Sequence, residues 1–244
     1  HLAITFNALL DRMNAVVVQQ RQFMTDASHE LRTPVAIVRG EAEVALSKED
    51  RTGKELRESM QVIEQESRLL SAIIDDLFLL ARADAGQAVI TPSTFYLDEL
   101  IADVVRAQRS LAARKSIEIV TELAPEVTIR ADERLLRRML MNLADNAVKY
   151  TPAEGRVEVT LRKAGREFVI TIANSGAALS DDMRARLFER FYRGEGSSSD
   201  GAGLGLPIAQ SIAELHGGSI DVAAGGIGNV FTVRIRTSEG SRSS

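Results

Sequence analysis

The chain has 244 residues, 45% of them hydrophobic and 26% charged, and contains no cysteine. That composition suits one or two globular domains and excludes disulfide scaffolds, thiolate metal sites and thiol nucleophiles. A formal net charge of -4, with no basic run carrying interleaved aromatics, argues against a nucleic-acid partner and favours a protein or a small anion.

The chain opens at His1 rather than at a methionine, so a piece of a longer protein is expected. Apolar runs such as Val16 to Val18 are too short to cross a bilayer, and no signal-peptide pattern opens the chain. The first predicted element is a helix. Leu10, Met13, Val17, Gln20, Met24, Ala27, Leu31, Pro34, Val38, Glu41 and Ala45 alternate spacings of three and four, a heptad seam with polar interruptions. The pattern stops near "SKEDRTG" and resumes in a second helix with Leu56, Met60, Ile63, Ser67, Leu70, Ile74, Leu77 and Ala81. Two long helices joined by a short polar loop predict an antiparallel hairpin. A lone hairpin leaves half of each apolar face in water, so a second copy is expected to complete a four-helix bundle, making the protein a homodimer.

After "ADAGQAVITPS" the texture changes. "DELIADVVRAQRSLAARK" and "DERLLRRMLMNLADNAVKY" read as helices, while "SIEIVTEL", "RVEVTLRK" and "EFVITIAN" alternate apolar and polar with period two. The second and third of these strands predict a hairpin turning near "KAGRE", and "GSIDVAAGGIGNVFTVRIR" predicts a closing hairpin, with helices on one face of a mixed sheet. The tail "TSEGSRSS" is small and polar, as disordered segments are.

Within the first helix, "TDASHELRTPVAI" raises a question of chemistry. Heptad counting puts His29 opposite the packed stripe, and Thr33 follows one turn later on the same exposed side. Glu30 can accept a proton from one ring nitrogen and leave the other neutral and nucleophilic. Pro34 removes a backbone donor and frees the carbonyl of Glu30, which predicts a bend just past the histidine. The surrounding "FMTDASHELRTPVAIV" resembles the H-box of sensor histidine kinases of two-component systems. "NLADNAVKYTP" resembles the N-box of that family, "LFERFYRG" its F-box and "DGAGLGLPIA" its second glycine box, in the family's order, so the resemblance covers roughly the whole chain. The opening "FNALLDRMNAVVVQQRQF" is similar to the last helix of a HAMP relay module. That implies a membrane-spanning sensor upstream, and the chain as its cytoplasmic portion at an inner or plasma membrane.

The resemblance implies this organisation: the end of a HAMP-like helix over 1–20, and a dimerisation and histidine phosphotransfer domain over 21–88. A catalytic ATP-binding domain over 91–237, an α/β sandwich of the GHKL (Bergerat) ATPase type, and a disordered tail over 238–244 complete it. The boxes make chemical sense residue by residue. Asn142, Asn146 and Lys149 fall at i, i+4 and i+7 on one helix stripe, beside an apolar face of Leu136, Met139, Leu140, Leu143 and Ala147. Neutral asparagine oxygens can share Mg²⁺ whose charge is balanced mostly by phosphates, and lysine supplies a point charge for those phosphates. By resemblance Asn146 is the magnesium ligand, Asn142 assists, and Lys149 and Tyr150 contact the nucleotide. The second glycine box, with Gly201, Gly203, Leu204 and Gly205 ahead of Pro207, puts backbone amides at a helix start where they can cradle phosphates. A dinucleotide fingerprint does not fit, because its third glycine would fall at Leu206. "GEGSSSD" looks like the mobile lid of an ATP site, and His216 reads as a helix C-terminal residue before glycines.

One box departs from the family pattern. Where an aspartate and two glycines are typical, the chain reads "NSGAAL", with Asn174 for the aspartate, Gly176 retained and Ala178 for the second glycine. A neutral acceptor for the adenine amino group costs about 1 kcal/mol against a charged one, about fivefold in affinity. Taken together, the resemblance implies ATP- and Mg²⁺-dependent autophosphorylation on His29 and phosphoryl transfer to an aspartate of a response-regulator receiver domain. Glu30 is expected to assist, and Thr33 to orient a water for phosphatase activity. Two alternatives stand beside it. One is a degenerate kinase acting as a dimeric scaffold or regulator phosphatase; the other is a different GHKL ATPase, whose known kinds lack a histidine-bearing hairpin.

Overall fold

A computed structural model of the chain describes residues 2–47, 52–194 and 202–236. The chain divides into two compact units, one ending at Phe78 and the other beginning at Leu79.

The first unit is helical. Helix α1 spans Leu2–Leu46 and α2 spans Gly53–Asp84. Most of the connecting "SKEDRTG" lies outside the described residues, but the start of α2 shows why the helix begins there. The Thr52 amide and hydroxyl both donate to Glu55 Oε2 at 2.9 Å, and the Glu55 amide donates back to Thr52 Oγ1 at 3.3 Å. This is a reciprocal capping box. Helix α1 continues through Pro34, which is buried, so the local backbone stays helical across the lost donor. The seam of α1 follows the heptad reading where side chains are described: Ala27 and Pro34 are buried, Leu31, Val38, Glu41 and Ala45 partly so, but Met24 is 64% exposed.

In α2 the buried positions differ from the expected stripe. Ser59, Ile73 and Leu80 are buried and Glu66 partly so, a seven-residue repeat, with Ile63, Leu70 and Leu77 half-buried alongside. Leu56, Met60, Ser67, Ile74 and Ala81, read from the sequence as seam, are exposed. The apolar stripe is broad, and the period alone did not say which part of it is buried.

The second unit carries a small and a large sheet. Strand β1 (Ser93–Tyr96) pairs antiparallel with β3 (Thr128–Ala131). The larger sheet contains β2 (Glu118–Leu123), β4 (Arg156–Ala164), β5 (Glu167–Asn174), β6 (Ser219–Gly225) and β7 (Gly228–Arg236), in the order β2-β4-β5-β7-β6. Its β2–β4 pair is parallel and the other pairs antiparallel, so the sheet is mixed. Helices α3 (Leu97–Arg114), α4 (Glu133–Tyr150) and α6 (Gly205–Leu215) supply the helical layer, and α5 (Asp181–Arg186) is a short turn of helix between β5 and α6.

The alternation explains the packing. Val157, Val159 and Leu161 of β4 and Phe168, Ile170 and Ile172 of β5 are at most 4% exposed. The same holds for Phe231, Val233 and Ile235 of β7, and Leu136, Met139, Leu140 and Leu143 of α4 are at most 1% exposed. Each such side chain stabilises by roughly 1.5–3 kcal/mol, so α4 is fixed by its apolar face while its polar stripe is left outward. The expected strands and long helices of this unit are present. The small sheet and α5 were not anticipated, since elements of four to six residues carry too little pattern.

Candidate functional site

In the first unit, His29 and Thr33 are both exposed, one turn apart on α1, with Glu30 half-buried between them. No hydrogen bond joins His29 to Glu30 among the described residues, as expected for successive helical residues that point about 100° apart. The structure therefore offers a ring open to solvent, with no carboxylate already in contact with it. Ser28 beside it is occupied, its hydroxyl donating to the Met24 carbonyl at 2.7 Å.

In the second unit, the residues picked out by sequence converge from three elements. Helix α4 presents Asn142, Asn146 and Lys149, all half-buried, and Tyr150, which is 47% exposed. Asn142 Nδ2 donates to the Gly205 carbonyl at 3.0 Å, tying the polar stripe of α4 to the start of α6. The Lys149 ammonium sits 5.5 Å from the centre of the Tyr150 ring. The end of α4 is held by Lys115, whose Nζ donates to the carbonyls of Val148 at 3.1 Å, Lys149 at 2.7 Å and Thr151 at 3.4 Å. A cation on these C-terminal carbonyls satisfies groups that the helix leaves unpaired.

The second element is the loop leaving β5. Asn174 is 2% exposed, and its Nδ2 has no hydrogen-bond partner. A methyl group on Gly176 would strike both that Nδ2 and the Tyr150 carbonyl, so the glycine lets the loop lie against the end of α4. Ala178 does not have a positive φ, which is why alanine is tolerated where the family pattern has glycine. The loop is clamped by a residue the sequence reading missed. Asn229, 5% exposed on β7, accepts from the Leu179 amide at 3.1 Å and donates from Nδ2 to the Ala177 carbonyl at 2.8 Å. Its signal was present: Asn229 occupies the inward register of Phe231, Val233 and Ile235, where a polar residue needs a partner.

The third element is the start of α6. Leu204 is buried at the helix entry and Gly205 is the first helical residue. Gly203 has φ +68 and its carbonyl accepts from the Phe191 amide at 3.1 Å, joining the F-box to the glycine box. A Cβ on Gly203 would collide with the Phe191 backbone. Gly201 and the expected lid beyond Gly194 lie outside the described residues. So does the tail over 238–244.

At the other end of α4, Asp132 caps the helix and organises its surroundings. Its carboxylate accepts from Thr91 N–H at 2.9 Å and Leu135 N–H at 3.0 Å, while its own amide donates to His216 Nε2 at 3.2 Å. The second His216 nitrogen, Nδ1, lies 2.8 Å from the Ile212 carbonyl, so the ring bridges the end of α6 to the start of α4. Burial works to raise the Asp132 carboxyl, but these two amides, with Arg134 and His216 nearby, hold it below its ordinary value. His216 is thus a structural clasp at the end of α6. An open depression of about 580 Å³ lined by Thr91, Asp132, Arg134 and Arg137 lies at this end. It is some ~18 Å along the helix from Asn146 and does not belong to the Asn174 site.

Chemically, the second unit combines a helix start, two asparagine side chains, a lysine and a buried unpaired amide. That set fits a nucleotide: amides and lysine for phosphates, asparagine oxygens for a phosphate-bound divalent cation, and the amide for a base edge. Comparisons with known proteins agree with this chemistry. Residues 19–86 match the family model described as His Kinase A (phospho-acceptor) domain. Residues 131–239 match that of histidine kinase-, DNA gyrase B- and HSP90-like ATPases. The sensor histidine kinase RppB of Synechocystis is 34% identical over 222 residues, covering 89% of this chain and 49% of RppB. The chain spans about half the length of the curated relatives it matches. Among solved structures, full-length ShkA in complex with AMPPNP superposes with a TM-score of 0.66 at 31% identity, over 89% of this chain and 46% of that one. The histidine kinase ThkA in complex with the response regulator protein TrrA gives 0.69 at 22% identity, over 95% and 65%, a likeness of fold.

Proposed function

The chain belongs to the sensor histidine kinases of two-component systems, and on that premise we propose that it phosphorylates itself on His29 from Mg-ATP. The phosphoryl group then passes to an aspartate of a response-regulator receiver domain. The observation that carries this reading is the pairing, in one chain, of a solvent-open histidine inside the phospho-acceptor match with a nucleotide-shaped polar site inside the ATPase match. The AMPPNP held by ShkA and the regulator held by ThkA support the two halves of the reaction.

Bound ATP supplies the γ-phosphoryl group, and Mg²⁺ offsets the charge of its phosphates. The neutral His29 ring attacks the γ-phosphorus through one nitrogen as the bond to the β–γ bridging oxygen breaks and ADP leaves, and the proton carried on its other nitrogen passes to Glu30. Asn146 is the protein ligand for the cation and Asn142 sets the approach of the α6 start, through its bond to Gly205. Lys149 supplies positive charge at the phosphates, and Gly203, Leu204 and Gly205 present backbone amides to them; Gly201 has the same role by its place in the box. Tyr150, Gly176 and Asn174 form the wall for the base. Exposed Met24, Val35, Leu56, Met60 and Ile74 on the two helices support a homodimer completing a four-helix bundle. No helix among the described residues is long and apolar enough to cross a membrane. A HAMP-like role for residues 1–20 and an upstream membrane sensor rest on the resemblance of the opening segment.

Incubating the chain with γ-labelled ATP tests the reading. Label should appear in an acid-labile, base-stable form and vanish in His29→Ala, whereas labelling of His29→Ala at the parent level refutes the assignment.

A further inference from the structure

Among the described residues, Asn174 Nδ2 is the one buried side-chain nitrogen or oxygen without a hydrogen-bond partner. The residue is 2% exposed, at the end of β5 beside Gly176, and no hydrogen bond fixes which end of its amide points where. An orphaned buried donor is costly unless something arrives to accept from it. We propose that this amide makes the nucleotide site accept 6-oxopurine nucleotides, those of hypoxanthine and guanine, alongside adenine nucleotides. The inference rests on the reading of this site as nucleotide-binding.

The argument is one of donors and acceptors. A carboxylate offers acceptors only, so toward either purine edge it takes one hydrogen bond, from the 6-amino group or from N1–H, and sets its other oxygen against an acceptor. An amide offers one acceptor and one donor group side by side. Toward adenine, its oxygen accepts from the 6-amino group and its nitrogen donates to N1. Toward a 6-oxopurine, the same amide turned half a revolution donates to O6 and accepts from N1–H. The two orientations have nearly the same shape, since amide oxygen and nitrogen differ little in size. Turning breaks no bond inside the protein, because none holds the amide. Residue 174 therefore satisfies either purine edge with two hydrogen bonds, and its own contribution to base selection is close to nil.

The test uses the whole chain and nucleoside diphosphates, which cannot phosphorylate it. Inosine diphosphate is the probe, because it differs from ADP only at C6 and N1, the two positions that the amide addresses. Calorimetric titration in Mg²⁺ should give dissociation constants for ADP and inosine diphosphate within about tenfold of each other. Asn174→Ala removes both bonds from either base, so it should weaken ADP and inosine diphosphate alike, each by at least about fivefold, and leave their ratio unchanged. A parent preference for ADP beyond about tenfold, or an alanine variant that weakens neither nucleotide or only one of them, overturns the proposal and leaves the ATP-site reading intact. If the parent binds neither nucleotide, both fall. If Asn174→Ala binds neither, the parent ratio alone decides.

Discussion

Asn229 offers the sharpest test of how the site is built. Replacing it with alanine removes the bond from Leu179 N–H and the bond to the Ala177 carbonyl, which brace the loop on both sides of Ala178. At about 1 kcal/mol per bond the loss is about 2 kcal/mol. For a unit of this size each kcal/mol shifts Tm by about 2–4 °C, so a fall of about 4–8 °C is expected, read by circular dichroism. Freeing the loop also means that nucleotide must order it again. Re-fixing even one residue costs about 1–2 kcal/mol, which lowers ADP affinity by about tenfold. Asn229→Asp separates bonding from mere volume. It has the same shape, but turns an oxygen toward the Ala177 carbonyl, so it should fall at least as far as alanine. A Tm for Asn229→Ala within about 1 °C of the parent, or an aspartate variant that behaves like the parent, refutes the clamp.

Two further outcomes are expected. Asp132 has a folded-state carboxyl below its ordinary value, so its charge stabilises the fold above about pH 4 and that stabilisation is lost as pH falls through the lowered value. An asparagine at this position keeps a cap acceptor, so Asp132→Asn should lose about 1 kcal/mol at neutral pH in urea unfolding, a gap that narrows as pH falls below about 4; a gap that does not change with pH refutes the charge's role. Thr33→Ala should spare autophosphorylation and slow dephosphorylation of a phosphorylated regulator, since the hydroxyl is exposed one turn from His29. Unchanged dephosphorylation removes Thr33 from that role.

Legibility in the sequence followed pattern length. Helix α4 has eighteen residues of clean apolar stripe, and β4 and β5 have strict alternation, so both their type and their buried faces could be read. Helix α2 was legible as a helix but not in its facing: with apolar residues on a broad arc, the period does not choose between the buried Ser59, Ile73 and Leu80 and the exposed Met60 and Ile74. Strands β1 and β3 hold together only through each other, at four residues apiece. The motif residues of the site were visible because they cluster along the chain. Lys115 and Asn229 were not, because each acts across more than thirty residues of sequence on a backbone atom that carries no side-chain signature.

The one parallel pair in the large sheet has a consequence for how the unit comes to exist. Strands β4 and β5, and likewise β6 and β7, are joined by tight turns and can zip as they leave the ribosome. Strand β2 cannot meet β4 until the chain between them, which contains all of α4, has been laid down and folded back. Closing that loop, like the longer one between β5 and β7, comes after the hairpins. Asn142, Asn146 and Lys149 ride on the intervening helix, so the phosphate-facing stripe is assembled late. A nucleotide that binds only the finished stripe then pulls the last step forward by mass action. Amide exchange along β2 should slow when ADP is present.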